Sequence, residues 1–383
     1  MTVTLAFLIY KYFPYGGLQR DFARMLAVLE GRGHHCRVYC TSWQGDELPA
    51  VDMRVAPVSR GSNVRRNERF LAWVQADLQV DPVDGVIGFN KMPGLDIYYA
   101  GDTCYLDAAL QSKGFLYRLG WRYRHFARWE KAVFDRASAT EILLISDREK
   151  ASFERHYQTQ TARMHLLPPG VEPDRRRPDD ATARRARVRH SLGLEYDEHT
   201  LLFVGSGFTR KGLDRVIRGL ASLRRTYPER RFRLLVAGQD GVGSLGLLAR
   251  RQQVQEQVVF LGGRDDIPDL MLAADVLVHP ARSEAAGIVL LEALVAGLPV
   301  VVTDVCGYAS HIETAGAGLV LPGPFEQVAL DDALAKSLDR EFQEACRTNG
   351  LKYAEDADLY SLHPTAASLI EQIIQRKEPG SGG

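Results

Sequence analysis

At 383 residues the chain has room for two domains of roughly 150 residues or one large one, and either buries a full core. Its usage, 45% hydrophobic and 25% charged, is globular and excludes collagen-like repeats, coiled coil and long disorder. Because 48 Lys+Arg balance 48 Asp+Glu, no global field draws it to nucleic acid or membrane, and any such attraction is local.

Short β-rich apolar runs alternate with helix-period segments in both halves, the pattern of parallel βα units and of an α/β fold with two doubly wound, Rossmann-like sheets. The predicted strands of the first half are Thr2–Tyr10, His35–Thr41, Val51–Val58, Gly85–Phe89, Ile97–Ala100 and Ile142–Ser146. The opening apolar run lacks a basic flank and a small-residue cleavage site, so it reads as a strand and not as a signal peptide. Residues Glu172–His190, with Pro173, Pro178 and seven arginines, read as a linker between a first domain over 1–172 and a second over 191–354. A C-terminal helix over 355–377 is left free to cross back onto the first domain. The strands of the second half are Leu201–Gly205, Arg233–Gly238, Val258–Gly262, Val276–His279, Val300–Thr303 and Leu319–Leu321. Between the first two of these, Leu213, Val216, Ile217, Leu220 and Leu223 form the stripe of one buried helix face. The closing residues 378–383, EPGSGG, read as a disordered tail. The five cysteines show neither CxxC nor zinc spacing, which predicts reduced thiols, a cytosolic compartment and no structural metal. No stretch reaches the ~20 apolar residues of a membrane-spanning helix.

Three strand-to-helix turns carry chemistry. Gly16-Gly17 follows the first strand, and two glycines there either let backbone amides approach a phosphate or serve only a tight turn. The turn is not GxGxxG, and no acidic residue follows the second strand where a dinucleotide site needs one. Gly205-Ser206-Gly207-Phe208-Thr209-Arg210-Lys211-Gly212 places two cations at a helix start, where they oppose the macrodipole unless an anion joins them. A diphosphate leaving group is such an anion, with Arg210 as a fork and Lys211 as a point charge. The third turn, His279 to Leu294, holds Glu284 and Glu292 eight residues apart, about 12 Å if helical, with Ala286, Gly287 and Ile288 between them. Glu292 stands in an otherwise apolar helix, where a carboxylate must find donors, and a ribose diol offers two.

The E-x7-E pattern, the G-x-G-x-x-R-K-G loop and the N-terminal GG turn, in this order across two Rossmann-like halves, resemble glycosyltransferase family 4, with a GT-B fold. YKYFPYGGLQRDF, GFNKMPGLD, KGFLYRLGWRYRH, HYQT, LPPG and HPARSEAAGIVLLEALVAGLPV resemble the lipopolysaccharide core glucosyltransferases of that family, over about residues 3 to 365. The resemblance implies two domains facing across a cleft and transfer of a hexose, foremost glucose, from UDP-hexose to a lipid-linked inner-core heptose with retention. It implies contact of Glu284 with the transferred sugar, the amides of Ala286, Gly287 and Ile288 near sugar and phosphate, and Glu292 on the ribose. It further implies Arg210 and Lys211 on the diphosphate, Gly17 approaching it from the other domain, Arg264 near the uracil and Arg175 as a donor contact. Asp102 occupies the place of a histidine in many relatives, and Asp21 is a further carboxylate able to face the acceptor. Family expectation is a front-face transfer in which the leaving phosphate takes the acceptor proton. No D-x-D motif sits at a strand end, so neither a cofactor nor an obligatory divalent metal is expected. Galactose or N-acetylhexosamine donors, and a nucleotide-sugar epimerase of the same fold, stand as alternatives.

Residues Lys113–Lys131 hold six Lys/Arg against Glu130 alone, interleaved with Phe115, Tyr117, Trp121, Tyr123, Phe126 and Trp129. At helical spacing Leu119, Tyr123 and Phe126 share a face, with Arg118, Arg122 and Arg128 around the other. Such a helix suits an anionic membrane surface and a peripheral place on the inner face of the inner membrane; packing on the first sheet is an equal reading of part of its aromatic face. A second basic loop, Arg60, Arg65, Arg66 and Arg69, suits acceptor phosphates or is a solvated turn. No nucleic-acid module accompanies either patch.

Overall fold

The computed structural model describes all residues except 1, 15, 47, 49, 50, 59, 60, 113 and 378–383, so Arg60, Lys113 and the EPGSGG tail lie outside the described residues. The chain divides into two compact units, Met1–Gly170 with Ser361–Gly383, and Val171–Tyr360.

The first unit is built on β1 (Thr4–Leu8), β2 (His35–Cys40), β3 (Asp52–Val55), β4 (Gly85–Gly88), β5 (Ile97–Ala100), β6 (Glu141–Leu144) and β7 (Met164–Leu166). All pairings are parallel, in the order β3-β2-β1-β4-β5-β6-β7. Strands covered on both faces read as continuous apolar runs, and Leu5, Ala6, Phe7 and Leu8 are accordingly buried. The order reverses between β1 and β4, which makes their carboxyl ends a topological switch point. Helix Gly17–Gly31 leaves β1 there and buries Phe22, Met25, Leu26 and Leu29. The final helix, Leu362–Lys377, belongs to this unit and is tied to it by Glu371, which pairs with Arg32 and His34 at 2.9 Å each.

The second unit holds β8 (His199–Val204), β9 (Phe232–Ala237), β10 (Val258–Gly262), β11 (Val276–His279), β12 (Val300–Thr303) and β13 (Gly318–Leu321), all parallel in the order β10-β9-β8-β11-β12-β13. Its strand order repeats that of the first unit, and its switch point lies between β8 and β11. The helical stripe is realised in Leu213–Thr226, whose Leu213, Val216, Ile217, Leu220 and Leu223 are buried against the sheet.

Two expectations are corrected. The arginine-rich stretch 173–190 is not a bare linker, because Ala181–Ser191 is a helix of the second unit. Its arginines close the carbonyl end of helix Ile267–Ala273: Arg185 donates to the Leu272 and Ala274 carbonyls at 2.7 and 2.6 Å, and Arg189 to Ala273 at 2.9 Å. These are the orphan acceptors of a helix C-terminus, so a polar run becomes ordered by what it caps. The expected helix over 355–377 is also broken, with Arg340–Asp356 ending before Asp358 and Leu362–Lys377 starting after it. Strand β7 escaped prediction because three residues carry no readable period.

Leu220 is fully buried in the second core, so Leu220→Ala is expected to cost about 2–5 kcal/mol, read as a lower denaturation midpoint with unchanged denaturant dependence.

Candidate active site

The loops that follow β8 and β11, neighbouring strands at the switch point, meet in the second unit. Gly207 at φ 79° starts the short helix Phe208–Lys211, and Gly212 at φ 82° turns the chain into Leu213–Thr226. A Cβ on Gly212 would lie 2.1 Å from the Pro280 carbonyl oxygen, so only glycine admits this approach. Backbone and side chains then stitch the loops together. The Arg282 amide donates to the Arg210 carbonyl at 2.8 Å, and Arg210 Nη1 donates to the Ser283 carbonyl at 2.7 Å. Arg282 spans the same join, donating to the Thr209 carbonyl and to Asp214.

At the join stands Glu284, with Lys211 Nζ at 2.6 Å, Arg210 Nη1 at 3.1 Å and His279 Nε2 at 3.6 Å. Burial alone would raise its carboxyl. The His279 contact and the charges of Lys211 and Arg210 outweigh that and hold it well below the usual carboxylate range. At 3.6 Å the histidine contact is long for a hydrogen bond, so the two cations dominate. His279, fully buried, is pushed down by desolvation and stays neutral. It was not singled out in the sequence, although it occupies the last position of β11, where chemistry gathers.

Helix Ile288–Val295 begins only after Gly287 at φ 85°, so Glu284 is not on it and the 12 Å helical spacing to Glu292 does not apply. The Gly287 and Ile288 amides lie at its start, where N–H groups have no intrahelical acceptor; the Ala286 carbonyl accepts from the Tyr308 amide at 2.8 Å. Glu292 is 5% exposed on the second turn, with Arg175 Nε 3.8 Å from its Oε1. The second unit thus brings Arg210, Lys211 and Glu284 together and pairs Arg175 with Glu292. Arg264, just beyond β10, spends its guanidinium on Asp266, with Nε to Oδ1 at 2.7 Å.

The remaining predicted residues belong to the first unit. Gly17 opens helix Gly17–Gly31, and a Cβ there would meet nothing within 4 Å. Asp21 accepts from the Tyr99 hydroxyl at 2.8 Å and faces His363 Nε2 at 3.1 Å, so its carboxylate ties three elements of the unit. Asp102 follows β5 and lines an open cavity of about 610 Å³ together with Arg66, Asn90, Lys91, Tyr105 and Phe126. Lys91 and Asn90 belong to the GFNKMPGLD run.

The basic aromatic stretch is broken by Gly120 into helices Phe115–Leu119 and Trp121–Phe134. The expected shared face is therefore split: Leu119 is exposed on the first helix, whereas Phe126 on the second lines the cavity.

A family model for glycosyl transferases group 1 matches residues 184–353. The chain is 47% identical, over 96% of its own length and 98% of the relative's, to the lipopolysaccharide glucosyltransferase WaaG of Escherichia coli (strain K12). A crystal structure of WaaG, a glycosyltransferase involved in lipopolysaccharide biosynthesis, aligns with a TM-score of 0.92 at 46% identity, over 96% of this chain and 99% of that one. Anabaena Alr3699/HepE, solved in complex with UDP-glucose, shares the fold with a TM-score of 0.74 at 18% identity, covering 97% of this chain and 100% of that chain.

The depressed Glu284 carboxyl sets a pH dependence. A group whose pKa falls on folding stabilises above its unfolded value, near 4.3, and loses that contribution as pH drops toward the folded value. Glu284→Gln is therefore expected to lower stability by roughly 3 kcal/mol at pH 7. The difference from the parent should shrink below about pH 4 in urea titrations run at both pH values.

Proposed function

The chain belongs to the group 1 glycosyltransferases and has the GT-B fold, and on that premise we propose that it moves a hexose, glucose foremost, from UDP-hexose to a heptose of the lipid-linked lipopolysaccharide inner core, with retention. The observation that carries this reading is the cluster of Lys211, Arg210 and Glu284 at the switch point of the second sheet, beside the helix that bears Glu292.

Chemically, the task is to stabilise a departing UDP and an oxocarbenium-like sugar. Lys211 and Arg210 rest on Glu284 when no donor is bound, and an arriving diphosphate shares the same cations. Amides of Ala286, Gly287 and Ile288 at the helix start favour the phosphate and sugar oxygens. Glu292, buried and steadied by Arg175, accepts from the two ribose hydroxyls. Backbone beside Arg264 takes the base edge. Glu284, strongly acidic, is a poor proton acceptor. It therefore accepts hydroxyl hydrogen bonds from the transferred hexose, and the leaving phosphate takes the acceptor proton. In the first unit Asp102, Lys91 and Arg66 line the cavity we assign to the acceptor. The spare lone pairs of Asp21, in the same unit, can accept from an acceptor hydroxyl.

The lipid-linked acceptor calls for work at a membrane surface. Among the described residues no helix is long and apolar enough to cross a membrane. Phe115, Leu116, Leu119 and Trp121 are exposed next to exposed Arg122, Arg124 and Arg128, which supports peripheral docking on anionic lipid at the cytoplasmic face.

Lys211→Ala is expected to lower transfer from UDP-glucose to a heptose-terminated core by about 10²–10³, and Glu292→Ala to weaken UDP binding, both read by product mass spectrometry and calorimetric titration. Transfer at parental rates in Lys211→Ala would overturn the assignment. Neutralising Arg118, Arg122 and Arg124 together should weaken binding to anionic vesicles by roughly 100-fold, at about 1 kcal/mol per charge, while turnover of a soluble acceptor is kept. Vesicle affinity equal to the parent's would reject the docking surface.

A further inference from the structure

Beneath the basic aromatic segment lies a buried acid that the donor chemistry does not use. Glu130, on helix Trp121–Phe134, has no solvent exposure. Its Oε1 accepts from Lys91 Nζ at 2.5 Å and from the Tyr105 amide at 2.7 Å, and its Oε2 from the Leu106 amide at 2.9 Å and the Tyr157 hydroxyl at 2.6 Å. Lys91 in turn donates to the Thr103 carbonyl at 2.7 Å. Tyr105 and Leu106 are the first residues of helix Tyr105–Ser112, so Glu130 supplies from a distant helix the anion that its positive end requires. Four N–H and O–H donors, with the Cys104 thiol also 3.7 Å from Oε2, satisfy the carboxylate's lone pairs and keep both it and Lys91 charged, with Glu130 held down and Lys91 pushed up against desolvation.

What this network holds is the wall of the cavity. Lys91, Asp102, Thr103 and Tyr105 line it from the fixed side, and Phe126 and Trp129 line it from the helix that carries Glu130. Removing the carboxylate would release the Lys91 ammonium and the 102–106 segment together, moving the polar groups of Lys91, Asp102, Thr103 and Tyr105 that an acceptor sugar would touch. Tyr157 is bonded to Glu130 but does not line the cavity. We propose that Glu130 is a positioning residue for acceptor binding, clamping Lys91 and the Asp102–Leu106 segment to helix Trp121–Phe134 so that the acceptor cavity is shaped before substrate arrives. The inference rests on the assignment of that cavity to the acceptor.

The test uses the full chain with UDP-glucose and a deacylated heptose-terminated core oligosaccharide, and compares Glu130→Gln, Tyr157→Phe and Arg66→Ala with the parent. Glu130→Gln is expected to raise the acceptor KM at least tenfold, with kcat changing less and UDP affinity within twofold of the parent. Tyr157→Phe, the milder variant should Glu130→Gln fold poorly, is expected to raise the same KM several-fold from outside the cavity. The combined Glu130→Gln/Tyr157→Phe variant should exceed Glu130→Gln only marginally, because both act through one carboxylate. A merely structural role would lower the melting temperature and leave the acceptor KM alone; that result overturns the proposal, as does a parallel loss of UDP affinity. Arg66→Ala separates the two layers. If it raises the acceptor KM while the Glu130 and Tyr157 variants do not, the cavity assignment stands and the positioning role fails. If Arg66→Ala leaves KM unchanged as well, the acceptor assignment itself fails.

Discussion

The ion pair between Lys211 and Glu284, at 2.6 Å, is the constraint on which the loops of the second unit depend. Two adjacent cations at the end of the short helix Phe208–Lys211 would repel each other, and a shielded carboxylate alone would lose its charge. Together they remove both costs and lock the loops after β8 and β11 to each other. Gly212 against the Pro280 carbonyl and Arg282 across Thr209 and Asp214 then follow as the packing that keeps the charges in place. On the proposed reading, the cluster is formed before any nucleotide arrives, which is the electrostatic preorganisation that phosphate departure requires.

The first unit repeats this physics with different chemistry. A single carboxylate, Glu130, takes its donors from a lysine, a hydroxyl and a helix start, and fixes that lysine and helix start, again at the carboxyl ends of neighbouring strands. Buried charge is a weak source of stability when fully paired, but breaking one partner is expensive. Both units therefore place their charge networks where position matters more than net stability, on loops outside the apolar cores.

Much of this was legible in the residues. The second-unit strands were read without loss because parallel strands covered on both faces are continuous apolar runs between glycine-bearing turns. Glu292 announced itself as one acid in IVLLEALV, and Arg210-Lys211 as cations in the wrong place for a helix. Two of the misreadings turn on contacts distant in sequence. The arginines of 184–189 looked like linker because their acceptors, the carbonyls of 272–274, lie far along the chain. Glu130 looked like the lone acid of a basic patch because its partner Lys91 stands 39 residues away. Gly287 at φ 85° was visible as a glycine, yet its role in starting the helix after Glu284 was not.

A crystal structure with UDP-glucose bound examines the central claim most directly. The diphosphate is expected on Arg210 and Lys211, the ribose diol on Glu292 and the hexose hydroxyls on Glu284. A nucleotide seated with its ribose away from Glu292 and its phosphates away from Lys211 would contradict it.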